Sequence, residues 1–114
     1  MVSISFIIIG RNEGWKLSKC LESIILTIES SSLQKYEIIY VDSNSTDNSI
    51  ARALDFKRVK VLKLTDKPNA AIARNIGAKI ATGDVLYFVD GDMELVPRFL
   101  RIVFNEESGL IYKY

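Results

Sequence analysis

The sequence contains no histidine at all among its 114 residues. Histidine is the commonest general base in enzymes and the commonest transition-metal ligand, so carboxylates would have to do both kinds of chemistry here. There is one cysteine, Cys20, which excludes an internal disulfide and mildly favours a reducing compartment. Because Cys20 shares a helical face with Leu17, Leu21 and Ile24, we predict that it packs in the core rather than acting as a reactive thiol.

Long hydrophobic runs and a strong charge of one sign are also missing. The apolar run Ile4–Ile9 is too short to cross a bilayer, and no basic segment precedes it as in a signal peptide. The formal net charge of +1 gives no reason to expect a nucleic-acid partner, and we expect none. Hydrophobic residues make up 48% of the chain, which argues against disorder. The length, and the lack of an internal repeat, low-complexity segment or linker, predict a single domain over residues 1–114.

Four apolar, β-branched runs alternate with segments of helical periodicity. The predicted strands are Ser3–Ile9, Tyr36–Val41, Val59–Leu64 and Asp84–Val89. Near-continuous apolar runs are typical of parallel strands that helices cover on both faces. The predicted helices between the strands are Trp15–Glu29, Thr46–Leu54 and Ala70–Ile80.

The ends of these helices carry ordinary boundary signals. Ser45 is a candidate N-cap for the second helix, and Gly83 is a candidate stop after the third. A further short helix is predicted to begin at Pro97 and to include Phe104. The tail Gly109–Tyr114 is predicted to form a last short strand.

This alternation predicts the fold class: α/β, with a doubly wound, mostly parallel sheet flanked by helices. Such sheets bind ligands beyond the carboxyl ends of their strands, where the strand order reverses. Polar segments follow three of the predicted strands at those ends: Gly10–Glu13, Asp42–Asp47 and Asp90–Asp92. We therefore expect the ligand crevice to lie among these three segments.

Asp90-Gly91-Asp92 places two carboxylates around a glycine directly after an apolar strand. The glycine lets the backbone turn, so that the two carboxylates need not point to opposite faces. Hard oxygen ligands suit Mg²⁺ or Mn²⁺, whose remaining ligands are commonly phosphate oxygens. On the motif alone, a metal–diphosphate site and a plain turn are equally good interpretations.

Two other residues have both an ordinary and a functional interpretation. Asp42 ends the second strand, where an Asx turn or N-cap is the ordinary role. Its functional alternative is a carboxylate that accepts a hydrogen bond from a nucleobase edge or a ribose hydroxyl. Arg74 is ordinarily a solvated helix residue, but its guanidinium would bind a base edge or a phosphate if it faced the crevice.

The order of these segments resembles that of the family 2 glycosyltransferases of the GT-A fold. The resemblance covers roughly residues 3–100 and is carried by Asn12-Glu13, Asp42-x-x-Ser45-Thr46-Asp47, Ala73-Arg74-Asn75-x-Gly77-x-x-x-Ala81-x-Gly83 and Asp90-x-Asp92. Each segment is unspecific alone, whereas the ordered set is specific. There are two departures. Gly10-Arg11-Asn12 stands where the family often has a Pro–Thr–aromatic–Asn run, and Ser43-Asn44 stands where it often has Asp-Gly.

The resemblance implies a Rossmann-like GT-A domain that binds a nucleotide diphosphosugar, a UDP-sugar in the first instance, with Mn²⁺ or Mg²⁺. It implies transfer of the sugar, with inversion, to a carbohydrate or lipid-linked acceptor. The metal ligands would be Asp90 and Asp92, with Asp92 as the chief one, and Asp90 would contact either the ribose or the metal. Asp42 would meet the base and Arg74 the base or the phosphates. The full implied set for the nucleotide sugar is Gly10, Arg11, Asn12, Glu13, Asp42, Ser43, Arg74, Asp90 and Gly91.

No residue matches the family's acceptor base, so the catalytic residue stays unassigned. Complete family domains are longer, which leads us to expect a truncated chain. The apolar strand Val85–Val89 would then lie at an exposed sheet edge, through which we expect self-association unless Gly109–Tyr114 covers it. We expect a cytoplasmic location, with a membrane reached through partners or missing segments, and a role in surface polysaccharide assembly. The alternative is a nucleotide-binding or regulatory module without transferase activity. A metal-dependent nucleotidyltransferase and a receiver-like signalling domain fit the order of motifs less well.

Overall fold

The computed structural model describes residues 2–96, 104–105 and 109–110. Its helices are α1 (Trp15–Glu29), α2 (Ser49–Leu54) and α3 (Ala70–Ile80). Its strands are β1 (Ile4–Gly10), β2 (Tyr36–Ser43), β3 (Val59–Leu64), β4 (Val85–Asp90), β5 (Phe104–Asn105) and β6 (Gly109–Leu110). In this described part of the chain, no helix combines the length and the apolar character needed to cross a membrane.

The first four strands form one parallel sheet in the order β3-β2-β1-β4. The chain winds outward from β1 to β3 and then returns past β1 to β4, so the strand order reverses between β1 and β4. Gly10 pairs with Asp42, and Ile9 pairs with Asp90, so the polar segments after these three strands emerge at one edge. This confirms the predicted α/β sheet and the predicted meeting of the three polar segments.

The core has one layer on each face of the sheet. Alternate β1 side chains, Phe6 and Ile8 among them, pack with α1 and the buried Ala53 of α2. The intervening side chains, Ile7 and Ile9, pack on the other face with Ala73 of α3. Cys20 lies fully buried in the first layer, as predicted.

Helix α3 approaches the sheet at backbone distance. A Cβ atom added to Gly77 would lie 2.5 Å from Cγ2 of Ile7, so only glycine fits there without a shift. At its first turn, the Asn69 side chain accepts from the Ile72 N–H at 3.1 Å, and the Asn69 N–H donates to Ser43 Oγ at 3.0 Å. These contacts fix α3 against β1 and β2. The N-terminus of α3 thereby lies near the loop that follows β1.

The expectation that the fourth apolar run, now β4, is buried on both faces is wrong. Leu86 is 38% exposed and Phe88 is 43% exposed. Both side chains lie on the face that carries α3, because Phe88 pairs with Ile7 of β1. Since α3 packs mainly against β1 and β2, it does not reach far enough to bury this face of β4.

Three local predictions are also corrected. Ser45 is not a helix N-cap, because α2 begins at Ser49 and Ser45 is bonded to Asp42 instead. Gly83 does not stop α3, which ends at Ile80 with an extended Ala81. Phe104 lies in β5, paired antiparallel with Leu110, and not in a helix. The rest of the helix predicted from Pro97, and the tail strand beyond Leu110, lie outside the described residues.

Candidate functional site

A cleft of about 420 Å³ lies at the carboxyl ends of β1 and β4, where the strand order reverses. Three segments predicted from the sequence supply part of its lining: Gly10, Arg11, Glu13, Ser43, Asp90, Gly91 and Asp92. The segment before α3 supplies the opposite wall with Pro68, Asn69 and Ala70, which the sequence analysis did not single out. Asn12, Asp42 and Arg74 are not among the lining residues. Arg74 contacts the lining residue Asp90, whereas Asn12 and Asp42 both bond to Ser45 in the loop after β2.

A tight turn presents the two carboxylates that follow β4. The Gly91 N–H donates to the Ile9 carbonyl at 2.8 Å, and the Met93 N–H donates to the Asp90 carbonyl at 3.0 Å. A Cβ atom on Gly91 would lie 3.3 Å from Cγ of Glu13 and 3.4 Å from the Ile9 carbonyl oxygen, so glycine permits this close approach. The turn leaves Asp90 and Asp92 exposed at the mouth of the cleft.

Glu13 adds a third carboxylate to this region. Its side chain packs over Gly10, where an added Cβ atom would lie 3.2 Å from Glu13 Cγ. Burial and the nearby charge of Asp92 raise the pKa of the Glu13 carboxyl, partly offset by Lys16. The clustered negative charge of Glu13, Asp90 and Asp92 favours a cationic or metal-bound guest.

Arg74 approaches this acidic cluster from α3. Its Nη2 atom lies 3.6 Å from Oδ1 of Asp90, and the two side chains are 45% and 59% exposed. Within the described residues, this is the one ion pair made by a carboxylate of the cleft. Arg74 therefore lies beside Asp90, a candidate metal ligand, and its contact with the base or the phosphates stays a prediction.

Asp42 is a fully buried hub beneath the cleft. Its Oδ2 accepts from the Ser45 N–H at 2.7 Å, and its Oδ1 accepts from Ser45 Oγ at 2.6 Å and from the Tyr40 hydroxyl. Burial and the neighbouring Asp42 raise the pKa of the Tyr40 hydroxyl, so it stays protonated and keeps donating. This arrangement is the Asx-type turn of the ordinary interpretation. The base-reading role of Asp42 stays a prediction.

Asn12 joins the loop after β1 to the loop after β2. Its N–H donates to Ser45 Oγ at 2.9 Å, and its Oδ1 accepts from the Thr46 N–H at 2.7 Å. Ser49 makes a second joint, because its Oγ accepts from the N–H groups of Glu13 and Gly14, each at 3.1 Å. The sequence offered one signal for these contacts: Ser45 follows Asp42 by three residues and Ser49 follows Asp47 by two, which are spacings typical of polar turns.

The residues of the turn fit a divalent metal shared with a ligand. Across the described ranges, no group of three or more acidic, histidine or cysteine side chains is arranged to hold a metal by itself. Mg²⁺ is commonly held by one or two carboxylates together with waters and substrate phosphates. Asp90 and Asp92 supply that kind of donor set, next to a cleft with room for phosphates.

Curated relatives carry names of glycosyltransferases. Glycosyltransferase GlyG of Streptococcus pneumoniae serotype 4 is 38% identical over 93 residues, covering 78% of this chain and 30% of the relative. Poly(ribitol-phosphate) beta-N-acetylglucosaminyltransferase TarP of Staphylococcus aureus is 32% identical over 111 residues, covering 92% of this chain and 33% of the relative. The chain therefore spans about a third of the length of these relatives.

Solved structures show the same fold. A fragment of S. aureus TarS in complex with UDP matches with a TM-score of 0.73 at 23% identity, over 88% of this chain and 30% of the fragment. The mannosyltransferase PcManGT from Pyrobaculum calidifontis, in complex with GDP-Man and Mn²⁺, matches with a TM-score of 0.69 at 23% identity, over 78% of this chain and 27% of that protein. The fold is that of the GT-A glycosyltransferases, as the resemblance implied.

The family model described as glycosyl transferase family 2 matches residues 5–106. This range contains the whole parallel sheet apart from Ile4, the first residue of β1, and it contains all the loops that line the cleft. The chain belongs to glycosyl transferase family 2.

Proposed function

We propose that this chain is the donor-binding part of a glycosyltransferase, and that its cleft takes a nucleotide diphosphosugar, a UDP-sugar in the first instance, together with Mn²⁺ or Mg²⁺. The observation that carries the proposal is the pair of exposed carboxylates, Asp90 and Asp92, at the point where the strand order reverses. That is where doubly wound sheets bind nucleotides. UDP in the TarS fragment, and GDP-Man with Mn²⁺ in PcManGT, support the choice of ligand class.

Different residues of the cleft would contact different parts of the ligand. Asp90 and Asp92 would hold the metal, which when bound neutralises the diphosphate leaving group. Gly10, Arg11 and Ser43 would contact the nucleoside and its phosphates. Ser43 Oγ already accepts from the Asn69 N–H, so the Ser43 hydroxyl proton remains to be donated to a ligand oxygen.

Asn12 and Asp42 would serve the nucleotide by holding the loop after β1 in place. Asp42 could read the base only if its contacts with Ser45 or Tyr40 opened, because both of its oxygens are engaged and its side chain is buried. We keep the contact between Asp42 and the base as a prediction from the family resemblance.

Inversion at the anomeric carbon, and a carbohydrate or lipid-linked acceptor, are proposed on the same resemblance. No general base for the acceptor is assigned among the described residues. Self-association through β4, a cytoplasmic location and a part in polysaccharide assembly stay predictions.

Binding of the donor is tested by calorimetric titration of the chain with UDP, with and without Mn²⁺. We expect binding that requires Mn²⁺ and is lost in Asp92→Ala. The matched control is Glu22→Ala, which removes an exposed carboxylate from α1 and should bind as the wild type does. Binding that ignores both Mn²⁺ and Asp92→Ala would contradict the metal site, and no binding at all would contradict the donor site.

A nucleotide-binding module without transferase activity is the second candidate, because the described residues offer a donor cleft but no assigned base. Release of UDP from a panel of UDP-sugars separates the two. Turnover that is lost in Asp92→Ala supports the transferase, whereas tight binding with no turnover on any donor supports the module.

A further inference from the structure

We propose that Arg74 is an internal counter-ion of Asp90: it neutralises this carboxylate in the metal-free cleft, competes with the divalent ion for it, and is then available to the donor's phosphates. The inference rests on the proposed function, because it concerns the metal and the diphosphate of the same cleft.

The geometry of the Arg74–Asp90 ion pair indicates a weak contact that another ligand of Asp90 can replace. At 3.6 Å, the distance from Arg74 Nη2 to Asp90 Oδ1 is within ion-pair range but longer than a hydrogen bond. Both side chains are about half exposed, so water competes for each of them. Exposed pairs of this kind are weak, and a divalent ion that coordinates the carboxylate directly will displace the guanidinium.

The surroundings explain why a counter-ion is present at this position. Asp90, Asp92 and the partly buried Glu13 place three carboxylates around one turn, and like charges so close repel each other. Arg74 relieves part of this repulsion. In the described part of the chain, Arg58 and Lys60 make the other ion pairs, and neither touches a residue of the cleft.

Contacts on both sides of Arg74 fix the backbone of α3 on the sheet. Only the Arg74 side chain therefore has to move when a metal replaces it at Asp90. Helix α3 is capped by Asn69, which also binds Ser43 at the end of β2. One turn after Arg74, Gly77 packs directly on Ile7. Phosphates bound to a metal on Asp90 would lie beside Arg74, whose guanidinium fork suits phosphate oxygens.

If the metal replaces Arg74 at Asp90, one substitution of Arg74 should change two binding affinities in opposite directions. Removing the positive charge of Arg74 frees Asp90 and should strengthen the binding of metal alone. The same substitution removes a phosphate partner and should weaken the binding of the nucleotide with metal. A residue with a merely structural role would weaken both, because both ligands need the same intact turn.

The experiment compares the wild type with Arg74→Gln, Arg74→Lys and Lys79→Gln in the full chain. Lys79 is an exposed cation on the same helix and controls for a general loss of positive charge. Free Mn²⁺ is titrated by its EPR signal without nucleotide, and UDP is titrated by calorimetry at saturating Mn²⁺. Urea denaturation of each variant checks that the fold is retained.

We expect Arg74→Gln to bind Mn²⁺ about two- to fivefold more tightly, which corresponds to about 0.4–1 kcal/mol for an exposed pair. We expect the same variant to bind UDP roughly tenfold or more weakly, the loss of a charge-assisted contact. Arg74→Lys keeps the charge and should bind Mn²⁺ within about twofold of the wild type. Lys79→Gln should leave both affinities unchanged.

Several outcomes overturn the inference while leaving the donor site intact. In each of them the wild type still binds UDP with Mn²⁺. The first is an Arg74→Gln variant whose Mn²⁺ affinity is unchanged or weaker, and the second is a Lys79→Gln variant that matches Arg74→Gln. The third is undetectable binding of Mn²⁺ without nucleotide in both the wild type and Arg74→Gln. A wild type that shows no Mn²⁺-dependent UDP binding instead overturns the proposed function, and this inference with it.

Discussion

The backbone N–H of Asn12 donates to the hydroxyl oxygen of Ser45, and the Asn12 side chain reaches back to accept from the N–H of Thr46. Asn12 adopts a left-handed backbone with φ of 54°, a conformation that asparagine tolerates better than most residues. Because Ser45 in turn donates to the buried Asp42, one carboxylate beneath the cleft links the loop after β1 to the loop after β2.

Replacing Ser45 by alanine tests this joint. Asp42 loses one of its donors, and the Asn12 N–H loses its acceptor, so we expect a loss of about 1–3 kcal/mol in the free energy of unfolding. UDP should also bind more weakly, because the loop with Gly10 and Arg11 is released. Urea denaturation and calorimetry measure the two effects. Ser45→Thr keeps the hydroxyl and should retain most of the stability, and an alanine variant as stable as the wild type would contradict the role of the joint.

The carboxylate of Glu37 should make a stabilising contact that is lost in acid. It lies at the end of the sheet opposite to the cleft. Burial opposes its charge, but hydrogen bonds from Ser5, Thr82 and Lys60 outweigh burial and lower the pKa of the Glu37 carboxyl to about 2. Since the folded pKa lies below the ordinary value of 4.5, the stabilisation is fully present above about pH 4.5. It is lost as the pH falls from there toward 2.

Glu37→Gln should therefore lower the free energy of unfolding at pH 7 by about 1–3 kcal/mol. The difference from the wild type should shrink as the pH falls below about 4.5, and urea denaturation over a pH series measures it. Glu22→Gln, at an exposed position on α1, should stay within about 0.5 kcal/mol of the wild type at pH 7. A difference that stays constant down to pH 2 would show that the charge of Glu37 is not what stabilises the fold.

Gly77→Ala tests the close packing of α3 on the sheet. Alanine gains about 1 kcal/mol in helix propensity, but its Cβ atom would lie 2.5 Å from Ile7 Cγ2, and overpacking of this kind costs about 1–3 kcal/mol. Ile7 is fully buried in the central strand and has little room to move, so we expect a net loss of stability. Lys79→Ala on the exposed side of α3 should be neutral or slightly stabilising. A Gly77→Ala variant with a raised melting temperature would contradict the contact.

Cys20 should be unreactive in the folded chain. It is fully buried, and burial, followed by the charge of Asp92, raises the pKa of its thiol to about 12. Ellman's reagent at pH 8 should label no thiol in the native protein and one thiol per chain in guanidinium chloride. Fast labelling without denaturant would mean that α1 opens away from the sheet.

The strands and helices of the sheet could be predicted because their apolar runs are bounded sharply by polar residues. Val59–Leu64, Trp15–Glu29 and Ala70–Ile80 have the predicted limits, and the polar segments meet at one edge as expected. The role of Ser45 could not be predicted, because a serine ahead of a helical pattern looks like an N-cap. Its bond to Asp42 is a local turn contact three residues back, whereas its bond with Asn12 forms only because β1 brings a distant loop beside it.

The wall formed by Pro68–Ala70 was missed for a similar reason. Nothing in its local sequence says which loop it faces, and that depends on where α3 crosses the sheet. The exposure of Leu86 and Phe88 depends likewise on the reach of α3 across neighbouring strands. An apolar run indicates a strand, but the position of that strand in the sheet decides how much of it is covered.

The strand order has a consequence for the synthesis of the chain. β1 is made first and lies between β2 and β4, yet β4 emerges only after residues 11–84. At about 5–20 residues per second, the ribosome needs on the order of 4–15 s to supply it. During that interval the nascent protein displays an unpaired apolar edge, Ile4–Ile9, of the kind that recruits chaperones or other nascent chains. The arrival of β4 pairs this edge of β1 and brings Asp90 to the crevice, but it also makes β4, with its exposed Leu86 and Phe88, the new edge strand of the four-stranded sheet.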